Sequence, residues 1–246
     1  MKEPKIIFEN DDVLVIDKPV GVLVHGEGAD PTGTVVEWFL AHVPKAKGVG
    51  EPRLGVDGKE IERSGVVHRL DKETSGVLIL AKNQSAFDHV KTQFKDRLVR
   101  KEYRALVYGM MKERWGTINR SIGRSSRDWR LRSAERGARG MLREASTDWE
   151  CLTSGEYEGE KFSYLKLLPK TGRTHQLRVH LKAIGRPIVG DTLYASPEKI
   201  EASNNLELNR LALHALSLKL TLPDGEERLF ESELPLEIFS AAGLIA

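Results

Sequence analysis

Short apolar runs, each halted by a turn signal within about seven residues, set the limits on how this chain can fold. Val13 to Ile16 is stopped by Asp17, Lys18 and Pro19, and Gly76 to Leu80 forms a second run. Tyr103 to Val107 ends at Gly109, and further strands are expected near 147–153 and 162–168, either side of the acidic turn GEYEGE. Leu216, Leu218 and Leu220 alternate with Ser217 and Lys219 as a half-buried strand does. Helical spacing is confined to a few places. Residues 34–40 follow Thr34, and Phe87, Val90 and Phe94 make one stripe on a helix over 83–97. Thr174 to Ile184 is closed by Gly185 and Pro187. Residues 46–64, rich in Gly, Pro and charge, are expected to form an exposed loop. Strands predominate without a strand–helix repeat. The expected class is therefore mixed α/β (α+β), a largely antiparallel central sheet flanked by helices and loops, rather than a doubly wound parallel sheet.

Composition narrows the chemistry. With Cys151 as the sole cysteine of 246 residues, neither an intramolecular disulfide nor a thiolate metal cluster can form. The N-terminal segment MKEPKIIFENDD turns acidic before any long apolar stretch, unlike a secretion signal, and no apolar run is long enough to cross a bilayer. A cytoplasmic location and a monomer are expected.

The formal net charge is only +2, but its distribution is uneven. Residues 114–143 hold nine arginines (114, 120, 124, 127, 130, 132, 136, 139 and 143) against Asp128 and Glu135, a local charge of +7. Trp115 and Trp129 lie among them. Guanidinium forks suit phosphates and indole faces suit bases, so RNA contact is favoured over a merely solvated surface, with Arg124, Arg127 and Arg130 as candidate contacts. The glycines and serines of the stretch suggest an element that orders on binding.

Three stretches carry candidate chemistry. HRLDKETSG (68–76) places Asp71 in a turn ahead of an apolar strand, where backbone bonds can fix it while its carboxylate faces a cleft; read alone, such an Asp is more often a turn residue. KEYRALVYG (101–109) puts Tyr103, Ala105 and Val107 on one strand face. GRTHQLRVHLKAIGRPIVGD (172–191) gathers Arg173, His175, Arg178, His180 and Lys182 around a helix start, with Arg173 just outside it and able to reach a carboxylate of another segment. The histidines match no metal-ligand spacing: His175 and His180 are five apart and no His-Glu-x-x-His occurs, so structural hydrogen bonding is expected of them and no metal site.

In this order, HRLDKETSG, KEYRALVYG and GRTHQLRVHL closely resemble the signature segments of the RluA-type pseudouridine synthases. VLVIDKPVGVLVH (13–25), GDTLY (190–194) and LALHA (211–215) are similar to further family elements, so the resemblance spans about residues 10–238. It implies an RNA pseudouridine synthase that needs no cofactor. Asp71 takes the place of the essential aspartate. Tyr103 matches the aromatic residue that stacks on the uracil and takes the C5 proton, and Arg173 the basic partner of the aspartate. Arg69 matches a residue that occupies the place of the flipped base, and Leu177 an aliphatic residue packed on the pocket. The implied partner is structured RNA, ribosomal or transfer, with no DNA and no membrane. VLVIDKP begins at residue 13, so a single catalytic domain over 1–246 is expected, without the small N-terminal RNA-binding module that many relatives carry. VHGEG lacks a proline that many relatives have after the histidine, and Ala195 follows GDTLY where glycine is common; both bear on loop conformation more than chemistry. A non-catalytic RNA-binding protein that keeps the fold is the competing reading. A hydrolase releasing free uracil or cleaved strands comes last.

Overall fold

In a computed structural model, the structure describes residues 2–26, 32–51, 54, 55, 58, 60–126, 128, 131–134, 138–202, 206 and 208–245. Along the chain run β1 (Lys5–Glu9), β2 (Val13–Lys18), α1 (Val35–His42), a 3₁₀ turn (Pro44–Ala46), β3 (Ser75–Ala81), α2 (Gln84–Lys95) and β4 (Arg100–Tyr108). Then come β5 (Trp115–Asn119), β6 (Ile122–Arg124), β7 (Arg132–Ser133), β8 (Arg139–Arg143), β9 (Ser146–Tyr157) and β10 (Glu160–Pro169). The chain closes with α3 (Gln176–Ala183), α4 (Pro197–Ala202), β11 (Leu213–Thr221), β12 (Glu227–Glu231) and α5 (Leu236–Gly243). All the strand pairings with a resolved register are antiparallel, and the expected mixed class is found. The chain divides into two compact units, Met1–Arg100 with Ala215–Glu233, and Lys101–His214 with Leu234–Ala246.

In the first unit the strands run in the order β1-β2-β3-β11, with β12 on β11. Val13, Val15, Val77 and Ile79 pack with Leu218, Leu220 and Phe230 and with Phe87 and Val90 of α2. On the other face Leu14, Ile16, Leu78 and Leu80 are equally buried, which is why β2 and β3 are apolar throughout rather than alternating. Both helices start where a short polar side chain can accept from the open first turn. Thr34 accepts from the Glu37 amide at 3.2 Å while the Glu37 carboxylate accepts from Gly33, and Asn83 accepts from Ala86. His89, on the polar side of α2, meets the Thr221 carbonyl, to which Gln93 also donates.

In the second unit the order is β4-β10-β9-β5. The β9–β10 hairpin is longer than the apolar pattern suggests, because the expected acidic turn is mostly strand: only Glu158 and Gly159 turn, both at positive φ. Its core joins Ala105, Val107, Leu165 and Leu167 to Leu177 and Leu181 of α3 and Ile238 and Ala241 of α5. Cys151 lies half-buried at its margin, as a small near-core residue. The arginine-rich stretch is folded in part: β7, β6 and β8 form a separate three-stranded sheet.

Candidate active site

The first unit fixes the backbone around Asp71. Lys18 is completely buried, and its ammonium donates to the carbonyls of Pro19 (2.8 Å), Val22 (2.8 Å) and Lys72 (3.1 Å). Three donors meet three carbonyls, which is how an ammonium is tolerated inside a protein. The Lys72 carbonyl also accepts from the Gly21 amide, so DKPVG and DKETSG are tied together one residue after Asp71. The Thr74 amide donates to the Asp71 carbonyl and closes the turn. Gly76 then takes φ 113°, and a Cβ there would lie 2.1 Å from the Ala215 carbonyl oxygen, so no other residue fits that entry to β3. Asp71 itself is half-buried.

Arg69 is exposed, and its guanidinium donates to His25 Nε2 at 3.1 Å. His25 Nδ1 lies 2.7 Å from the Gly26 carbonyl. A guanidinium only donates and a carbonyl only accepts, so these partners select the Nδ1–H tautomer of neutral His25. His68 accepts from the Ile79 amide and stacks on Phe94.

Tyr103, Arg173 and Leu177 all belong to the second unit. Tyr103 sits opposite Leu167 in the β4–β10 register, half-buried against the cluster that contains Leu177. Two residues earlier on β4, Lys101 donates to the Thr171 carbonyl at 3.3 Å, and burial pulls its pKa down to about 8.

The loop carrying Arg173 is organised by Gln176, whose role was not legible in the sequence. Its Oε1 accepts from Thr171 Oγ1 (2.7 Å) and the Arg173 amide (3.0 Å), and its Nε2 donates to Ser146 O (3.1 Å) and Thr147 Oγ1 (3.0 Å). The Arg173 guanidinium donates through Nε to the Glu144 carbonyl at 3.1 Å. α3 begins at Gln176 rather than Thr174, since His175 adopts the left-handed conformation at φ 55°. His175 Nδ1 lies 2.7 Å from the Tyr194 hydroxyl, which also accepts from the Arg132 amide of β7.

Behind the loop, Arg178 meets Asp191 in a two-pronged pair at 2.8 and 2.7 Å, both residues buried. The guanidinium also lies over the Tyr194 ring, 4.9 Å from its centre. This pair explains why GRTHQLRVHL and GDTLY occur together.

His180, fully buried, accepts from Thr147 Oγ1 at Nδ1 and donates from Nε2 to the Arg120 carbonyl, and burial lowers its pKa below the ordinary 6.5. The unfolded chain takes up a proton here before the folded one does. The stability this neutral ring contributes is present above pH 6.5 and declines as pH falls below it. Thermal melts from pH 7.5 to 5 should show that decline, and His180→Gln should flatten that part of the profile whatever its overall stability. An unchanged slope in the variant would place the titration elsewhere.

Of the arginines proposed to touch RNA, Arg124 is exposed on β6, while Arg127 and Arg130 lie outside the described residues.

Residues 12–183, which hold Asp71, Tyr103, Arg173 and Leu177, match the family described as RNA pseudouridylate synthase. An uncharacterized RNA pseudouridine synthase of Synechocystis is 39% identical over 225 residues, covering 90% of this chain and 62% of that protein. Ribosomal large subunit pseudouridine synthase D of Nitrosomonas europaea is 37% identical over 238 residues, covering 94% and 62%. The chain thus spans about three-fifths of the length of these two relatives. Among solved structures, human RNA Pseudouridylate Synthase Domain Containing 1 superposes with a TM-score of 0.73 at 30% identity, over 94% of this chain and 84% of that one. This chain belongs to the RNA pseudouridylate synthase family.

Proposed function

We propose that the protein isomerises uridine to pseudouridine in structured RNA. The observation that carries this reading is the family match over residues 12–183, which includes both HRLDKETSG and GRTHQLRVHL intact. The reaction conserves every atom of the substrate. The N1–C1′ bond breaks, the uracil turns in place, a C5–C1′ bond forms, and the proton on C5 leaves as N1 gains one. Asp71 is the nucleophile, acting at C1′ or by a route through a glycal. Arg173 keeps that carboxylate charged, since an unpaired charge out of water is costly. Tyr103 holds the detached uracil by stacking and accepts the C5 proton. Arg69 fills the place of the flipped base, an extrusion that costs least where the RNA is already looped or distorted. Leu177 packs against the uracil pocket. Arg124, Arg127 and Arg130 hold the RNA backbone.

Large-subunit ribosomal RNA is the first substrate to test, since a relative 37% identical carries that name, and transfer RNA is the second. With transcripts carrying 5-tritiated uridine, the folded protein should release tritium to water from at least one of the two. Release from neither, with RNA still bound, would leave the non-catalytic RNA-binding reading in its place.

A further inference from the structure

Nine arginines in thirty residues say only that a surface is basic; the strand register says where three of them stand. Arg124 of β6 is paired directly with Arg132 of β7 on one side and with Arg139 of β8 on the other. Residues in register across strands project from the same face, with neighbouring strands about 4.8 Å apart. The three guanidiniums therefore spring from one row across the three-stranded sheet. Arg124 and Arg139 are exposed and Arg132 is half-buried. Arg143, also exposed, lies further along β8.

Like charges directly opposite one another destabilise a sheet unless counter-charges separate them. Among the described residues no carboxylate pairs with Arg124, Arg132, Arg139 or Arg143, although ion pairs are plentiful elsewhere in the same unit, as at Lys170–Asp148 and Arg178–Asp191. Apolar packing anchors the sheet that carries the row. Ile122, Ala134 and Ala145 are buried with Val179 and Tyr194, and the Arg132 amide is fixed on the Tyr194 hydroxyl. The sheet is a built support for a row of charges that no carboxylate among the described residues is shown to pair with.

We propose that the Arg132–Arg124–Arg139 row is a docking ledge for consecutive phosphates of one RNA strand, with a role distinct from that of the residues that act on the uridine. It rests on the RNA reading given above and extends it by naming the surface, the contacted moiety and its indifference to base identity. The ledge recognises backbone charge, so it contributes affinity without choosing the nucleotide. It is carried on Tyr194, which also holds His175, two residues from Arg173. A strand seated on the row is thereby held in fixed relation to the arginine loop of the second unit.

The test compares wild type with Arg124→Gln, Arg139→Gln and the double variant. It measures RNA affinity across a salt series and steady-state tritium release on 5-tritiated large-subunit ribosomal and transfer RNA transcripts. Each exposed arginine removed should lower the salt slope of log affinity by about 0.7–0.9. The double variant should raise KM by about tenfold or more with kcat within about twofold, and the free variants should melt no lower than wild type, because repulsion has been relieved. Unchanged slope and KM in the double variant would overturn the ledge, whatever the activity. A lowered slope together with no release by wild type would uphold the ledge and sink the synthase reading instead. Variants that melt well below wild type would show the row to be structural and would overturn it too.

Discussion

Replacing Asp71 by alanine should abolish tritium release from 5-tritiated uridine, a loss on the order of 10³-fold or more, while RNA affinity stays within about twofold of wild type. The loss is expected in chemistry, because main-chain contacts that fix this segment are made by backbone carbonyls and survive the substitution. The turn closes through the Asp71 carbonyl, and the next residue is clamped through its own carbonyl by Lys18 and Gly21. Asp71→Asn keeps the shape more closely and should be as inactive, since an amide is a far poorer nucleophile than a carboxylate. Binding separates this outcome from misfolding. If the alanine variant still released tritium at a comparable rate, the assignment of Asp71 would have to be withdrawn.

The largest expected effect on stability lies away from the reacting groups, at Asp191. Asp191→Ala would leave the Arg178 guanidinium buried without its counter-charge, and would also remove the acceptor of the Leu193 and Tyr194 amides at 3.1 and 3.2 Å. Breaking one side of a buried pair costs about 3–5 kcal/mol, which for a chain of this size corresponds to roughly 10 °C in melting temperature. Substituting both residues with apolar ones of similar volume should recover much of the loss, since the desolvation of two charges is then avoided. Urea unfolding of the single and double variants measures both quantities. A single variant within about 1 kcal/mol of wild type would mean that Arg178 finds water or another partner.

What the sequence shows follows from the range over which its signals act. Strand β2 and helices α1 and α2 were legible because their signals are local: an apolar run stopped by Lys18 and Pro19, Thr34 at a helix start, and Phe87, Val90 and Phe94 at helical spacing. Asp71, Tyr103, Arg173 and Leu177 were found through motifs, and the family match over residues 12–183 contains all four; it does not by itself establish what each one does. Gln176 was passed over because its four partners lie at Ser146, Thr147, Thr171 and Arg173, and no pattern within one segment announces such a hub. The strands β6, β7 and β8 were equally hidden. They span only three, two and five residues, and β8 is exposed along its whole length, so there was no buried face to impose alternation. The arginines were visible as a count, and their pairing across strands was not. The acidic turn was drawn too wide because polarity was read as loop, whereas Gly155 to Tyr157 hold their register against Glu160 to Phe162.

That two-residue turn at Glu158 and Gly159 bears on how the second unit can assemble. Phe162 lies in register with Gly155 on one side and Tyr108 on the other. Closing the first contact gathers seven residues of chain, and closing the second gathers fifty-four. Loop-closure entropy makes the longer closure dearer by about 2 kcal/mol, so the hairpin is the cheapest long structure the unit can form. Once β9 and β10 are zipped, each offers a finished edge, on which β5 and β4 can be laid without further search for register. Tyr103, the residue proposed to hold the uracil, arrives with β4 and is set down on a sheet that already exists.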